Sequence, residues 1–293
     1  MYKAIAANKR NTVLIMAVFV ALIGAIGWLV SWYYGNTNVA YVIIGVAAIY
    51  AWLQYYMATK IAISMTGAKE IQKRDNPRLY RIIENLAITL GMPTPKVYVI
   101  DDKAPNAFAT GRDPKHAIVG VTTGLMDIME DMELEAVMAH EMGHVKNYDI
   151  RVSMIAFGLV SVIGLLADIF LRMMIFGGGG NRGNNSSPVL LVVGLVVIII
   201  APILAAIVQM AVSRQREYLA DVSGAMTTRN PDSLASALQK LKDNSQPLKH
   251  QHSATSHLFF SNPLKKGGFS KLFSTHPPLE DRIARLRKNA DKF

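Results

Sequence analysis

The chain has 293 residues, a formal net charge of +10, 51% hydrophobic residues and no cysteine. The missing cysteines exclude disulfides, thiolate metal sites and cysteine nucleophiles, so any metal must be held by histidine and carboxylate. The positive charge does not point to nucleic acid: no basic stripe with interleaved aromatics occurs, and Lys and Arg gather beside long charge-free runs, which is the pattern of membrane topology.

The first charge-free run, residues 13–34, is long enough to cross about 30 Å of hydrocarbon as a helix, with Trp28, Trp32, Tyr33 and Tyr34 as interfacial anchors. It is too long for a signal-peptide core and lacks a small-residue cleavage site, so it is expected to stay attached as an anchor. A polar link at 35–38 leads to a second run, 39–59, ending at Lys60. The link has no Lys or Arg, whereas Lys3, Lys9, Arg10, Lys60, Lys69, Lys73 and Arg74 lie outside the two runs, which predicts a cytoplasmic amino terminus.

Residues 61–151 read as a soluble α/β portion. PRLYRIIENLAITL at 77–90 has helical spacing and is stopped by Gly91-Met92-Pro93. Three short β-rich runs follow at 96–100, 106–110 and 116–121, separated by Asp, Pro and Gly turns. An exposed edge of such a sheet can hold an extended peptide as an added strand.

ELEAVMAHEMGHVK at 133–146 then predicts a helix carrying H-E-x-x-H. Residues four apart share a helix face, so His140 and His144 can offer imidazoles to one ion while Glu141 stands close by as a proton acceptor. Zinc suits neutral imidazole and needs no redox chemistry. REYLAD, with Glu217 four residues before Asp221, supplies a third ligand and an orienting carboxylate.

Between the two motifs lie a third apolar run, 152–176, a glycine-rich loop at 177–188 and a charge-free run at 189–212. The third run holds Asp168 and Arg172, whose spacing permits an ion pair on one face, so it reads as a span or as a hairpin buried in protein or one leaflet. Going out and back returns Glu217 to His144 and puts the metal about 10 Å from the membrane surface. From 213 the chain is soluble again, with helices to about 226, at 231–242 and at 278–288. His250, His252 and His257 read as loop histidines.

H-E-x-x-H at 140–144, E-x-x-x-D at 217–221, NAFATG at 106–111, HLFFSNP at 257–263 and STHPP at 274–278 together resemble the HtpX-type membrane-bound zinc metalloproteases over nearly the full length. The resemblance implies an α-helical membrane protein with about four transmembrane helices and a cytoplasmic, mostly-α, zincin-like α+β protease domain. Its parts are an N-terminal hairpin (1–60), a protease part (61–151), a second hairpin (152–212) and a protease part with the third ligand (213–293). It further implies a gluzincin binding one Zn2+, with His140, His144 and Glu217 as ligands, Glu141 as general base and Asp221 behind a ligand histidine. Asn106 and Ala107 would grip substrate backbone. The activity implied is endopeptidase cleavage of protein substrates, misfolded membrane proteins above all, in the bacterial cytoplasmic membrane, with the site facing the cytoplasm and no role for nucleic acid. An adaptor or holdase with a structural zinc is the alternative. For His276, stiffened by the two prolines after it, two roles fit: a hydrogen-bond donor to the oxyanion, or a fourth ligand that silences the site.

Overall fold

The computed structural model describes residues 2–156, 214–249, 258–261 and 277–290. All but residues 152–156 of the second apolar hairpin expected at 152–212, the loop histidines 250, 252 and 257, and His276 lie outside these residues.

Helix α1 (Tyr2–Tyr34) and helix α2 (Asn38–Thr66) pack side by side as a hairpin, turned by Gly35 at φ 65°. Residues 6–25 of α1 form a helix apolar and long enough to cross a membrane. Trp28 and Trp32 near its far end are 64% and 79% exposed, as interfacial anchors require. The second run is not straight: its halves, Ala40–Tyr50 and Tyr55–Thr66, meet at 61°, and no proline or glycine accounts for the bend. Ile15, Phe19 and Ala58 of the hairpin close on Val152, Met154, Ile155 and Ala156, so the helix starting at 149 runs against this hairpin.

The soluble part is built around helix α5. Helix α3 (Pro77–Leu90) starts where Asn76 caps the Leu79 amide and ends at Gly91 in the left-handed region. Its buried stripe, Leu79, Ile82, Ile83, Leu86 and Leu90, repeats every three or four residues and faces the core. Strands β1 (Lys69–Glu70), β2 (Lys96–Ile100), β3 (Ala107–Gly111) and β4 (Ala117–Thr122) form one sheet in the order β1-β2-β4-β3. β2 and β4 are parallel, with Val97 opposite Val119, while β3 and β4 are antiparallel, with Ala107 opposite Val121. β1 has two residues, both exposed, and offers no alternation to read in the sequence. Helix α4 (Thr123–Ile128) then turns the chain into α5 (Asp131–Lys146).

α5 is buried almost all round and packs against α3, β3 and two later helices, α6 (Arg214–Thr228) and α7 (Pro231–Asp243). At its start the Glu133 carboxylate accepts from the Glu130 amide at 2.9 Å, from Ser236 at 2.7 Å and from Lys240 at 2.6 Å, tying α5 to α7. Helix α8 (Leu279–Lys288) closes the bundle on α7 and α6.

Candidate metal centre

The site is made where α6 crosses α5. A side chain at Gly224 would press within 3.1 Å of the His140 backbone nitrogen, and Gly143 faces the Ser223 side chain at the same crossing. Two glycines thus let the helix backbones approach closely enough for Glu217 and Asp221 to reach the histidines of α5.

His140, Glu141, Glu217 and Asp221 are all at most 5% exposed. His140 Nε2 and His144 Nε2 face each other at 3.1 Å, and Glu217 sends Oε2 to 3.7 Å from the first and Oε1 to 3.5 Å from the second. Ligand atoms of His140, His144 and Glu217 all lie within 4.8 Å of one another.

Each imidazole is held from behind. His140 Nδ1 lies 2.9 Å from Asp221 Oδ1, and His144 Nδ1 lies 3.0 Å from Asp149 Oδ2. A carboxylate accepts only, so both Nδ1 atoms carry a proton, and when both rings are neutral both Nε2 atoms present lone pairs. Two lone pairs cannot hydrogen-bond to one another. A cation between them and Glu217 satisfies all three groups, so the residues fit a metal on donor chemistry as well as on distance.

Arg282 of α8 completes the rear of the site. It is fully buried and grips Asp221 with a two-pronged contact, Nη2 to Oδ1 at 2.6 Å and Nε to Oδ2 at 2.9 Å. Its Nη1 stands 3.7 Å from Glu217 Oε2 and its guanidinium lies 4.7 Å over the Phe260 ring, which meets the His140 ring edge-on. Burial opposes the charge on Asp221, but Arg282, then His140, outweigh it and hold the carboxyl down to about 2. Burial also works against a charged His144, yet the Asp149 hydrogen bond and the charges of Glu217, Asp149 and Glu141 raise it to about 9, so with no cation present the ring holds a second proton on Nε2, the position a metal would take. The same Glu141 charge helps keep Arg282 protonated, which puts Glu141 among the groups of this pocket.

Asp149 is itself anchored: Asn8 of α1 donates to its Oδ1 at 2.7 Å and to the Asn147 carbonyl at 2.8 Å. Asn8, Asp149, Arg282 and Phe260 are the parts of this arrangement that the sequence reading missed. Arg282 carried one signal, since it shares a helix face with Leu279 and Leu286 at spacings of three and four.

Asn106 and Ala107 start β3 at the edge of the sheet, and in this structure the chain itself fills that edge. The Phe260 amide donates to the Ala107 carbonyl at 2.8 Å, and the Asn106 side chain donates to the Ser261 carbonyl at 2.8 Å and accepts from its amide at 3.1 Å. Phe259 pairs with Phe108 as an antiparallel bridge.

A His, His, Glu cluster with H-E-x-x-H on one helix and the third ligand on another is the arrangement of a gluzincin-type metallopeptidase. The chain belongs to peptidase family M48, whose model matches residues 73–290. It is 53% identical over 293 residues, the whole of both chains, to a "Protease HtpX homolog" of Tropheryma whipplei. It is 43% identical to a protein of the same description from Streptococcus gordonii, covering 98% of this chain and 99% of that one. The fold is shared with Ste24p of S. mikatae, at a TM-score of 0.53 and 20% identity, over 98% of this chain and 67% of that one.

Proposed function

We propose that the protein is an integral-membrane zinc endopeptidase that cleaves misfolded or damaged membrane proteins from the cytoplasmic side, with His140, His144 and Glu217 holding one zinc ion. The observation that carries the reading is the pair of Nε2 atoms 3.1 Å apart, each ring backed by a carboxylate, with the buried Glu141 in the same pocket. When bound, zinc supplies Lewis-acid polarisation of a peptide carbonyl and acidifies water towards neutral pH. Glu141 takes the proton of the attacking water and passes it to the departing amine. Asp221 and Asp149 keep the ligand imidazoles in one tautomer and one orientation, and Arg282 keeps Asp221 charged and in place.

For substrate, β3 is the last strand of the sheet, and among the described residues only the 258–261 segment pairs with its outer edge. The Ala107 carbonyl points outward to Phe260 and Phe259 stands opposite Phe108, so by strand alternation the outward backbone groups past that bridge are the Ala109 carbonyl and those of Gly111. An extended peptide pairing there is recognised by its backbone, which suits an enzyme acting on unfolded segments. Asn106 and Ala107 then serve by fixing the 258–261 segment beside the metal.

Two observations support a cytoplasmic site. Asn8, before the first apolar run, touches Asn147 and Asp149 just past the H-E-x-x-H helix, so the amino terminus and the site share one side. That side also carries Lys3, Lys9, Arg10 and Lys60, with no Lys or Arg in the 35–38 link. Of the four crossings proposed, the third and fourth fall within 152–212 and would bring Glu217 back to that same side. A structural zinc in an adaptor would leave the buried Glu141 without a task. The test is Glu141→Gln in the purified full-length protein: it should keep one zinc and lose cleavage of an unfolded membrane-protein substrate. Full proteolysis by the variant would refute the mechanism.

A further inference from the structure

A cavity of about 400 Å³ opens where α3 ends and the chain leaves α5. Its lining combines the apolar Leu90, Met92 and Pro93 with the cations Lys115, Lys146 and Arg151. Its one acid, Asp113, is committed elsewhere: it accepts from His116 Nδ1 at 2.8 Å and from the Lys115 and His116 amides at 2.9 and 3.0 Å. Neither Lys115 nor Lys146 has a carboxylate partner among the described residues.

Arg151 is not a loose surface cation. Its Nε donates to the Arg112 carbonyl, and its guanidinium lies 4.8 Å over the Tyr148 ring and 5.9 Å over the Tyr55 ring. Tyr148, also a lining residue, sits at φ 62°, a conformation that costs a non-glycine residue energy and must be held by its surroundings. Lys9 of α1 covers the same ring at 4.8 Å.

These contacts fix the depth of the cavity. Lys9 lies four residues before the apolar run of α1, and Tyr55 five residues before the lysine that ends the run of α2. At 1.5 Å per helical residue both are within roughly 8 Å of the hydrocarbon boundary. Arg112 over Tyr56 at 5.1 Å adds to a belt of aromatics and arginines at this level.

We propose that this cavity binds the headgroup of an anionic membrane phospholipid, its phosphate between Lys115, Lys146 and Arg151 and its glycerol end against Leu90, Met92 and Pro93. Convergent cations beside the cytoplasmic leaflet recognise a headgroup of net negative charge and discriminate against a zwitterionic one. The lipid would bridge the anchors to the soluble part at Tyr148, next to Asp149.

The experiment titrates the detergent-purified full-length protein with short-chain phosphatidylglycerol, short-chain phosphatidylcholine and inorganic phosphate. Phosphatidylglycerol should bind at least about tenfold more tightly than phosphatidylcholine, and phosphate at equal concentration should not displace it. K115Q/K146Q should weaken phosphatidylglycerol about tenfold or more, while K115R/K146R stays within about threefold of the unaltered protein. Equal binding of the two lipids, or no loss in K115Q/K146Q, would overturn the proposal. Displacement by equimolar phosphate would make this a soluble-anion site and overturn it as well. Zinc content, read on the same samples, reports folding independently of the lipid result.

Discussion

Asn8, near the start of the first apolar helix, donates a 2.7 Å hydrogen bond to Asp149, and the other oxygen of that carboxylate holds His144 Nδ1 at 3.0 Å. A side chain near the start of an apolar helix is therefore two hydrogen bonds from His144 of the metal-binding cluster.

Asp149→Ala should weaken zinc binding about 10- to 100-fold, the usual cost of losing the group behind a ligand histidine. Asn8→Ala should act in the same direction and less, because it leaves the carboxylate present but freer to turn. Chelator competition on the purified variants measures both. Equal affinities in all three proteins would remove Asp149 from the site.

Arg282 predicts a larger and different effect. Arg282→Met leaves Asp221 buried without its cation, which should cost about 3–5 kcal/mol and release the carboxyl from its depressed pKa of about 2. Arg282→Lys keeps a charge but not the two-pronged grip on Asp221, and should recover only part of the loss. Thermal midpoints and zinc occupancy check both variants together.

His140, Glu141, His144, Glu217 and Asp221 are legible in the sequence because each motif is local: four residues on one helix define the face, and the chemistry of the side chains does the rest. Helices α3, α5 and α7 are legible for a similar reason, through regular apolar spacing or a capping asparagine before proline. Asp149 and Asn8 are not, since 141 positions separate them and nothing in either segment refers to the other. The filling of the β3 edge by Phe260 and Ser261 is a long-range pairing of the same kind. The bend in α2 has no proline or glycine to announce it.

Glu133 gives a pH-dependent prediction. Burial opposes its charge, but Lys240, Ser236 and the Glu130 amide outweigh that and set its pKa below the ordinary 4.5. A carboxylate with a depressed folded pKa stabilises fully above the ordinary value and loses that contribution as pH falls through the folded one. Glu133→Gln should therefore cost about 2 kcal/mol at pH 7, and the gap to the unaltered protein should close as pH drops below about 4.5. Thermal midpoints across pH 3–7 follow this. A gap independent of pH would mean that the charge on Glu133 does not matter.

His276→Ala separates the two roles that fit that residue, and of these the oxyanion donor is the one we propose. Turnover should fall about a hundredfold with zinc affinity unchanged. A rise in basal activity would instead mark His276 as a ligand that silences the site.

The most direct measurement takes zinc content and peptide cleavage from one purified sample of the full-length protein, before and after chelation and again after zinc is restored. Cleavage should track zinc at one ion per chain, vanish with chelation and return with the metal, while Glu141→Gln binds the same single ion and stays inactive throughout. Cleavage that persists in the zinc-free protein would contradict the assignment of His140, His144 and Glu217 to a catalytic metal.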